Sequence, residues 1–382
     1  MNAWKAGPPR WMLILAAAAA LWALGGCSSA GERRPDSENA SASAESRTAP
    51  GSKTAAGAEA ETDGGGPENA PAEPAAESAP QESGTADAAP REEVKKGTLN
   101  FFEEEERTPL GVWWWGTRHL ADEEAFERRL QFLKAHKVTE VYLTYDARLD
   151  DAVYRNAIRR LNGIGIRTSA LDGDAFWVTE SGYPAFEKRL EVLRAYQENA
   201  AGDERFAGLH LDVEPYTMPE FQADPAPYLP YYMKLVDTAA EFAQNHGMTA
   251  EFDIPFWIDE KVRVTAGGEE MLMTEYLIRK ADAVNVMSYR DTALRQYLDS
   301  MNVIDLVKKH GKKIMMGFET QPLDETPYVT YFEEGPEYMA AEMSKLRSLL
   351  KDSLNIPFGL AVHHLDSWID WPETSGSDPE KS

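Results

Sequence analysis

The chain has 382 residues, with 39 Lys and Arg against 64 Asp and Glu, for a formal net charge of −25. That charge repels nucleic-acid phosphates and anionic membrane surfaces, so no nucleic-acid partner is expected. The single cysteine, Cys27, excludes an internal disulfide, a thiolate metal cluster and a cysteine nucleophile in the folded part, leaving carboxylates, His, Tyr or Ser for any chemistry.

Lys5 and Arg10 precede an apolar run from Trp11 to Leu24, the charged-then-apolar order of a secretory signal, which we assign to residues 1–26. The run ends at Leu24-Gly25-Gly26-Cys27, which resembles the lipobox of bacterial lipoproteins. That resemblance implies cleavage before Cys27, lipidation of its sulfur, and a protein tethered to the bacterial cell membrane outside the cytoplasm. Residues 27–100 are rich in Ala, Glu, Ser, Gly and Pro and poor in large apolar side chains, so they read as a disordered acidic linker. A polar tail, 373–382, is also expected to be disordered.

Between them, residues 101–372 alternate short apolar or β-branched runs with helical patterns, the signature of repeated βα units on a parallel sheet. Eight strands are expected: Leu110–Trp115, Val138–Tyr145, Ile166–Asp172, Ala207–Glu214, Thr249–Phe256, Ala283–Tyr289, Lys313–Glu319 and Phe358–His364. Helical spacing predicts Asp122–His136, Ser181–Asn199, Pro227–His246, Leu294–His310 and Pro336–Ser353. Eight alternations give a (β/α)8 TIM barrel of the α/β class.

Catalytic groups of such barrels stand at the carboxyl ends of the strands. Here those ends carry Trp115 and Arg118, Asp172 and Trp177, His210, Asp212 and Glu214, Asp253 and Trp257, Tyr289 and Arg290, Glu319, then His363 and Trp368. Carboxylates ringed by tryptophans suit a sugar cleft, because pyranose C–H faces stack on aromatic rings while carboxyls do acid–base work. On strand four, His210, Asp212 and Glu214 share one face by the period of two. Two carboxyls so close raise one pKa and keep a proton available near neutrality, as a general acid requires. The structural alternative is that both simply pair with Arg118 or Arg290.

This strand resembles the Asp-x-x-Asp-x-Asp-x-Glu motif of family 18 glycoside hydrolases, the chitinase-like barrels. Gly208, Asp212 and Glu214 fit it, while Ala207 and His210 stand at its first two aspartates. Val286-Met287-Ser288-Tyr289 resembles the family's strand-six Met-x-Tyr, and Gly359 to Trp368 its strand eight. The resemblance implies that Glu214 protonates the glycosidic oxygen, Asp212 orients an N-acetyl group as internal nucleophile, Tyr289 hydrogen-bonds that acetamide and Trp368 lies under the sugar. A second resemblance, of Val213-Glu214-Pro215 and Phe318-Glu319-Thr320 to the acid/base and nucleophile positions of the retaining (β/α)8 glycosidases, makes Glu319 the nucleophile, about 5–5.5 Å from Glu214. Trp115, Arg118, Asp172, Trp177, His210, Asp253, Trp257, Arg290, His363 and Trp368 are the expected substrate contacts.

Adjacent histidines on a strand face opposite ways, so His363 and His364 cannot share a metal site, and neither a metal nor a cofactor is expected. Of Trp113-Trp114-Trp115, the first and third share a face, and Trp115 alone is placed as a sugar platform. No phosphate-binding glycine loop or serine nucleophile elbow occurs in context. The expected protein is a monomeric, membrane-tethered glycoside hydrolase acting on a β-linked, N-acetylhexosamine-containing glycan. The rival is a noncatalytic carbohydrate-binding barrel.

Overall fold

Parallel pairing closes eight strands into a barrel in the computed structural model, which describes residues 108–257 and 262–371. The signal segment 1–26, Cys27, the linker 27–100 and the tail 373–382 lie outside the described residues. The barrel strands are β1 (Leu110–Trp114), β2 (Glu140–Thr144), β3 (Arg167–Asp172), β4 (Gly208–Leu211), β5 (Thr249–Pro255), β8 (Ala283–Met287), β9 (Lys313–Glu319) and β10 (Phe358–His363), neighbours in that order with β10 returning to β1. Between β5 and β8 an antiparallel hairpin, β6 (Arg263–Ala266) and β7 (Glu269–Leu272), interrupts the alternation. Its short strands carry several charged residues and lack an apolar run, so the sequence reading passed over them.

Two helices open on aspartate caps. Asp122 accepts from Ala125 N (3.0 Å) to open Glu123–Ala135, and Asp150 accepts from Ala152 N (2.8 Å) to open Asp151–Gly163, a helix absent from the expectation. The expected helix 294–310 is two, Ala293–Asp299 and Met301–His310, broken at Ser300, and the second ends on Gly311 in the left-handed region (φ 63°). No helix among the described residues is long and apolar enough to cross a membrane.

Two cores result. The larger fills the space between strands and helices. The smaller, inside the barrel, joins Trp113, Tyr142, Leu171, Met315 and Ala361, with Trp115 packed on it. Branched aliphatics usually dominate such an interior, but here the inward positions also carry Glu140, Ser169, His210, Glu251, Asp253 and Asn285, all buried. At the amino-terminal end of the strands Lys313 pairs with Glu140, and Arg167 pairs with Glu251 at 2.7 Å. Buried charge is tolerated only when paired, and these pairs form a ladder rising toward the site.

Gly173 fixes the spacing between β3 and the residues after β4. A Cβ there would stand 1.8 Å from the Asp212 carbonyl oxygen, a backbone atom that cannot swing aside. Gly173→Ala should therefore destabilise the protein by about 1–3 kcal/mol, measured as a lowered denaturation midpoint. An unchanged midpoint would mean that the Asp212 backbone is not held this closely.

Candidate functional site

His210, Asp212 and Glu214 share the inward face of the strand-four segment, as the period of two requires. The ladder continues past β4 through Asp212 N to Asp172 O (3.0 Å), and Val213 faces the outer core. Their environments differ sharply. His210 is wholly buried beneath the mouth, with Nε2 2.9 Å from Asp253 Oδ1, Nδ1 3.2 Å from Glu251 Oε2, and Tyr142 stacked on its ring at 4.0 Å. Trp113 Nε1 donates to the other Asp253 oxygen at 2.9 Å. Burial alone would lower the His210 pKa, but Asp253, through charge and hydrogen bond, and then Glu251 raise it to about 9. Burial would likewise raise Glu251, yet the His210 hydrogen bond and Arg167 hold it at about 2. The unit is an imidazolium clamped by two carboxylates, one of them also held by arginine.

Above it, Asp212 and Glu214 have no such cation. The Asp212 Oδ1 is buried and accepts no hydrogen bond, and burial, Glu214 and Asp253 push the carboxyl well above the usual range. Glu214 Oε1 accepts a short hydrogen bond from Tyr216 O–H. Burial raises the Glu214 pKa; the Tyr216 bond and His363 offset part of that, and Asp253 adds to it. Two partly exposed carboxyls this close therefore retain a proton into a range where free carboxylic acids have lost theirs.

On the opposite side, β10 and β9 bring His363 and Glu319 together, Nδ1 to Oε2 at 2.8 Å, while Trp115 Nε1 lies 3.3 Å from His363 Nε2. Glu319 Oε1 accepts from the backbone N–H groups of Thr320 and Gln321, both at 2.8 Å. Burial lowers the His363 pKa, but Glu319, followed by Asp253 and Glu214, raises it above the ordinary value. Tyr289 lies between the two sides, its ring 5.8 Å from that of His363; burial, then Glu319, Asp253, Asp212 and Glu214, pushes its hydroxyl pKa up. Trp257 is half-buried at the same mouth, edge-on to Tyr216 at 4.8 Å.

The site thus gathers Glu214, Asp212, Tyr289, His363, Trp115 and Trp257, and several other expectations need correction. Asp172 faces the helix layer, where Arg189 Nε binds it at 2.5 Å. Trp177 is buried against Phe186 at 5.2 Å, and Trp368 against Phe132 and His136 at 5.1 and 4.8 Å, so neither walls a sugar subsite. Arg290 pairs with Asp299 at 2.8 Å and lies over the Phe256 ring. Arg118 is exposed and donates to its neighbour His119 at 3.0 Å, so the alternative pairing of the carboxyls with Arg118 or Arg290 does not occur. His210 and Asp253 are too buried and too fully bonded to touch a substrate. Glu319 has both oxygens engaged, three hydrogen bonds in all, to the Thr320 and Gln321 N–H groups and to His363. Glu251, Tyr216 and Tyr142 were missed, although the alternation that placed Asp253 inward places Glu251 inward as well. No group of three or more His, Cys, Asp and Glu side chains among the described residues is arranged to hold a metal ion. His210 has both ring nitrogens on carboxylates.

No protein-family model matches the chain, and no curated protein matches its sequence. Solved structures do resemble it. A chitinase from Bacteroides thetaiotaomicron is 11% identical with a TM-score of 0.47, over 69% of this chain and 91% of that one. A family 18 chitinase from Cycas revoluta in complex with (GlcNAc)3 is 12% identical with a TM-score of 0.39, over 69% and 96%. A Rhizomucor miehei β-1,3-glucanosyltransferase mutant in complex with laminaritriose is 12% identical with a TM-score of 0.43, over 66% and 86%. At these values the likeness is one of barrel architecture, and the chemistry has to be read from this chain's own side chains.

Two outcomes follow from the clamp. Replacing His210 by Leu leaves Asp253 without its cation and should cost about 3–5 kcal/mol of stability. Because the folded pKa of His210 is raised, its contribution is complete below the unfolded value of 6.5 and disappears as pH climbs through about 9. Denaturation midpoints measured from pH 6 to 10 should fall across that window, and the fall should shrink in His210→Gln; a flat wild-type profile would refute the clamp.

Proposed function

We propose that the protein is a glycoside hydrolase acting on a β-linked glycan, with Glu214 as the proton donor to the glycosidic oxygen and Asp212 as its partner. The feature that supports this reading is the half-buried Asp212–Glu214 pair at the open end of the barrel, where burial and neighbouring carboxylates raise both carboxyl pKa values and no Lys or Arg is bonded to either group. General acid catalysis needs a proton there at physiological pH, and a structural carboxyl pair would have been given a cation or more hydrogen bonds. The unpartnered Asp212 Oδ1 suits a polar substituent on the sugar such as an acetamide, with Tyr289 beside it, which favours an N-acetylhexosamine-containing substrate. Trp115 and Trp257 supply apolar faces for the ring. In this reading Glu319 supports His363.

The amino-terminal signal and Cys27 support export, lipidation and display outside the cytoplasm on the bacterial cell membrane, and we propose that the chain works there as a monomer. The competing reading, a noncatalytic carbohydrate-binding barrel, draws on His210. It sits where the resembled motif has an aspartate and binds Asp253 instead of sharing a proton with Asp212.

One comparison separates the two. In assays on chitin, peptidoglycan, cellulose and mannan oligosaccharides, Glu214→Gln should lower kcat/KM by about 10²- to 10⁴-fold while leaving glycan affinity within a few-fold. Cleavage that survives the substitution would remove Glu214 from the mechanism, and binding without any cleavage by the wild type would favour the noncatalytic barrel.

A further inference from the structure

Phe176 and Tyr328 are the aromatic members of a small set of large apolar side chains that stand exposed among the described residues, at 63% and 46%. The other members, Leu294, Leu298 and Met301, are aliphatic and belong to the helices Ala293–Asp299 and Met301–His310. Single exposed apolar residues are ordinary, so exposure alone carries nothing. Placement and support carry more.

Phe176 belongs to the 3-10 turn Ala175–Val178 after β3, and that turn packs on Pro215–Thr217, the turn that follows Glu214. Tyr328 belongs to the 3-10 turn Pro327–Val329 after β9. Its carbonyl accepts from Asp291 N at 3.1 Å, two residues beyond Tyr289, and Tyr331 N, three residues on, donates to the Glu319 carbonyl at 3.0 Å. Each exposed ring is thus tied to a loop that carries a site residue. In the closed order of strands, β3 and β9 are four steps apart in either direction, so the two turns rise from opposite points of the rim.

Both turns are held by hydrogen bonds. Phe176 N donates to Asp174 Oδ1 at 2.8 Å, and its carbonyl accepts from Thr179 N and Oγ1 at 3.0 and 2.8 Å. Val329 N donates to Thr326 O at 3.1 Å, and Thr330 Oγ1 donates to Gln321 O at 2.6 Å. A hydrogen-bonded turn that holds a flat apolar ring toward water favours stacking, and the ligand that offers flat C–H faces at repeated intervals is a polysaccharide chain.

We propose that Phe176 and Tyr328 are outer stacking sites for a long polysaccharide that crosses the mouth from the β3 side to the β9 side. This inference rests on the glycosidase reading for its geometry, but binding tests it separately from cleavage. The purified full-length chain, in detergent, is sedimented with insoluble chitin, peptidoglycan, cellulose and mannan, and its sugar release from short soluble oligosaccharides is measured alongside. The wild type should sediment with at least one polymer, and the double substitution Phe176→Ala, Tyr328→Ala should weaken that binding about tenfold with cleavage of the short oligosaccharides unchanged. Equal sedimentation of variant and wild type, equal loss on short and long substrates, or no sedimentation of the wild type with any polymer would overturn the proposal. Sedimentation without sugar release would leave the stacking sites standing and reject the hydrolase.

Discussion

An imidazole with no route to water must have its charge balanced from within the protein, and the interior of this barrel is arranged around that requirement at His210. Asp253 and Glu251 take its two nitrogens, Arg167 balances Glu251, Trp113 fills the remaining oxygen of Asp253, and Tyr142 covers the ring. A layer usually filled by Val, Ile and Leu becomes a ladder of charge instead. Such a ladder is weak as a source of stability, since buried pairs recover little more than their desolvation cost. Its consequence lies above it: Asp253 adds its negative field to Asp212 and Glu214.

That field explains the division of labour across the mouth. On one side a pair of carboxyls, with no Lys or Arg bonded to it, has its pKa values raised. On the other a histidine paired with Glu319 is drawn toward its charged form and moderates Glu214 across the gap. Cations that could have quenched the arrangement, Arg189 and Arg290, are spent on Asp172 and Asp299 toward the helix layer.

Much of this was legible in the residues. The eight strand runs fall within a few positions of the observed strands because strand and helix periods differ so clearly here. The facing of Trp113, Trp114 and Trp115 and of His210, Asp212 and Glu214 follows from the same period. What failed were contacts made through helices. Trp177 and Trp368 follow strand ends, which in sequence looks like a place at the mouth, yet each turns into the layer between sheet and helix. Arg189 lies within a helix, and nothing local announces that it reaches back to Asp172. The period of two points His210 inward but cannot show that Tyr142 of β2, reaching across the barrel interior, and Glu251 and Asp253 of the adjacent β5 enclose it once the barrel has closed.

The claim on which the rest stands is that the Asp212–Glu214 pair holds a proton near neutral pH. Infrared difference spectra of the full-length protein across pH 5 to 9, compared with those of Asp212→Asn and Glu214→Gln, test it directly. The account predicts a protonated-carboxyl C=O band that persists at pH 7 in the wild type and is lost or shifted in each variant. A wild-type spectrum in which all such bands vanish by pH 5 would contradict it.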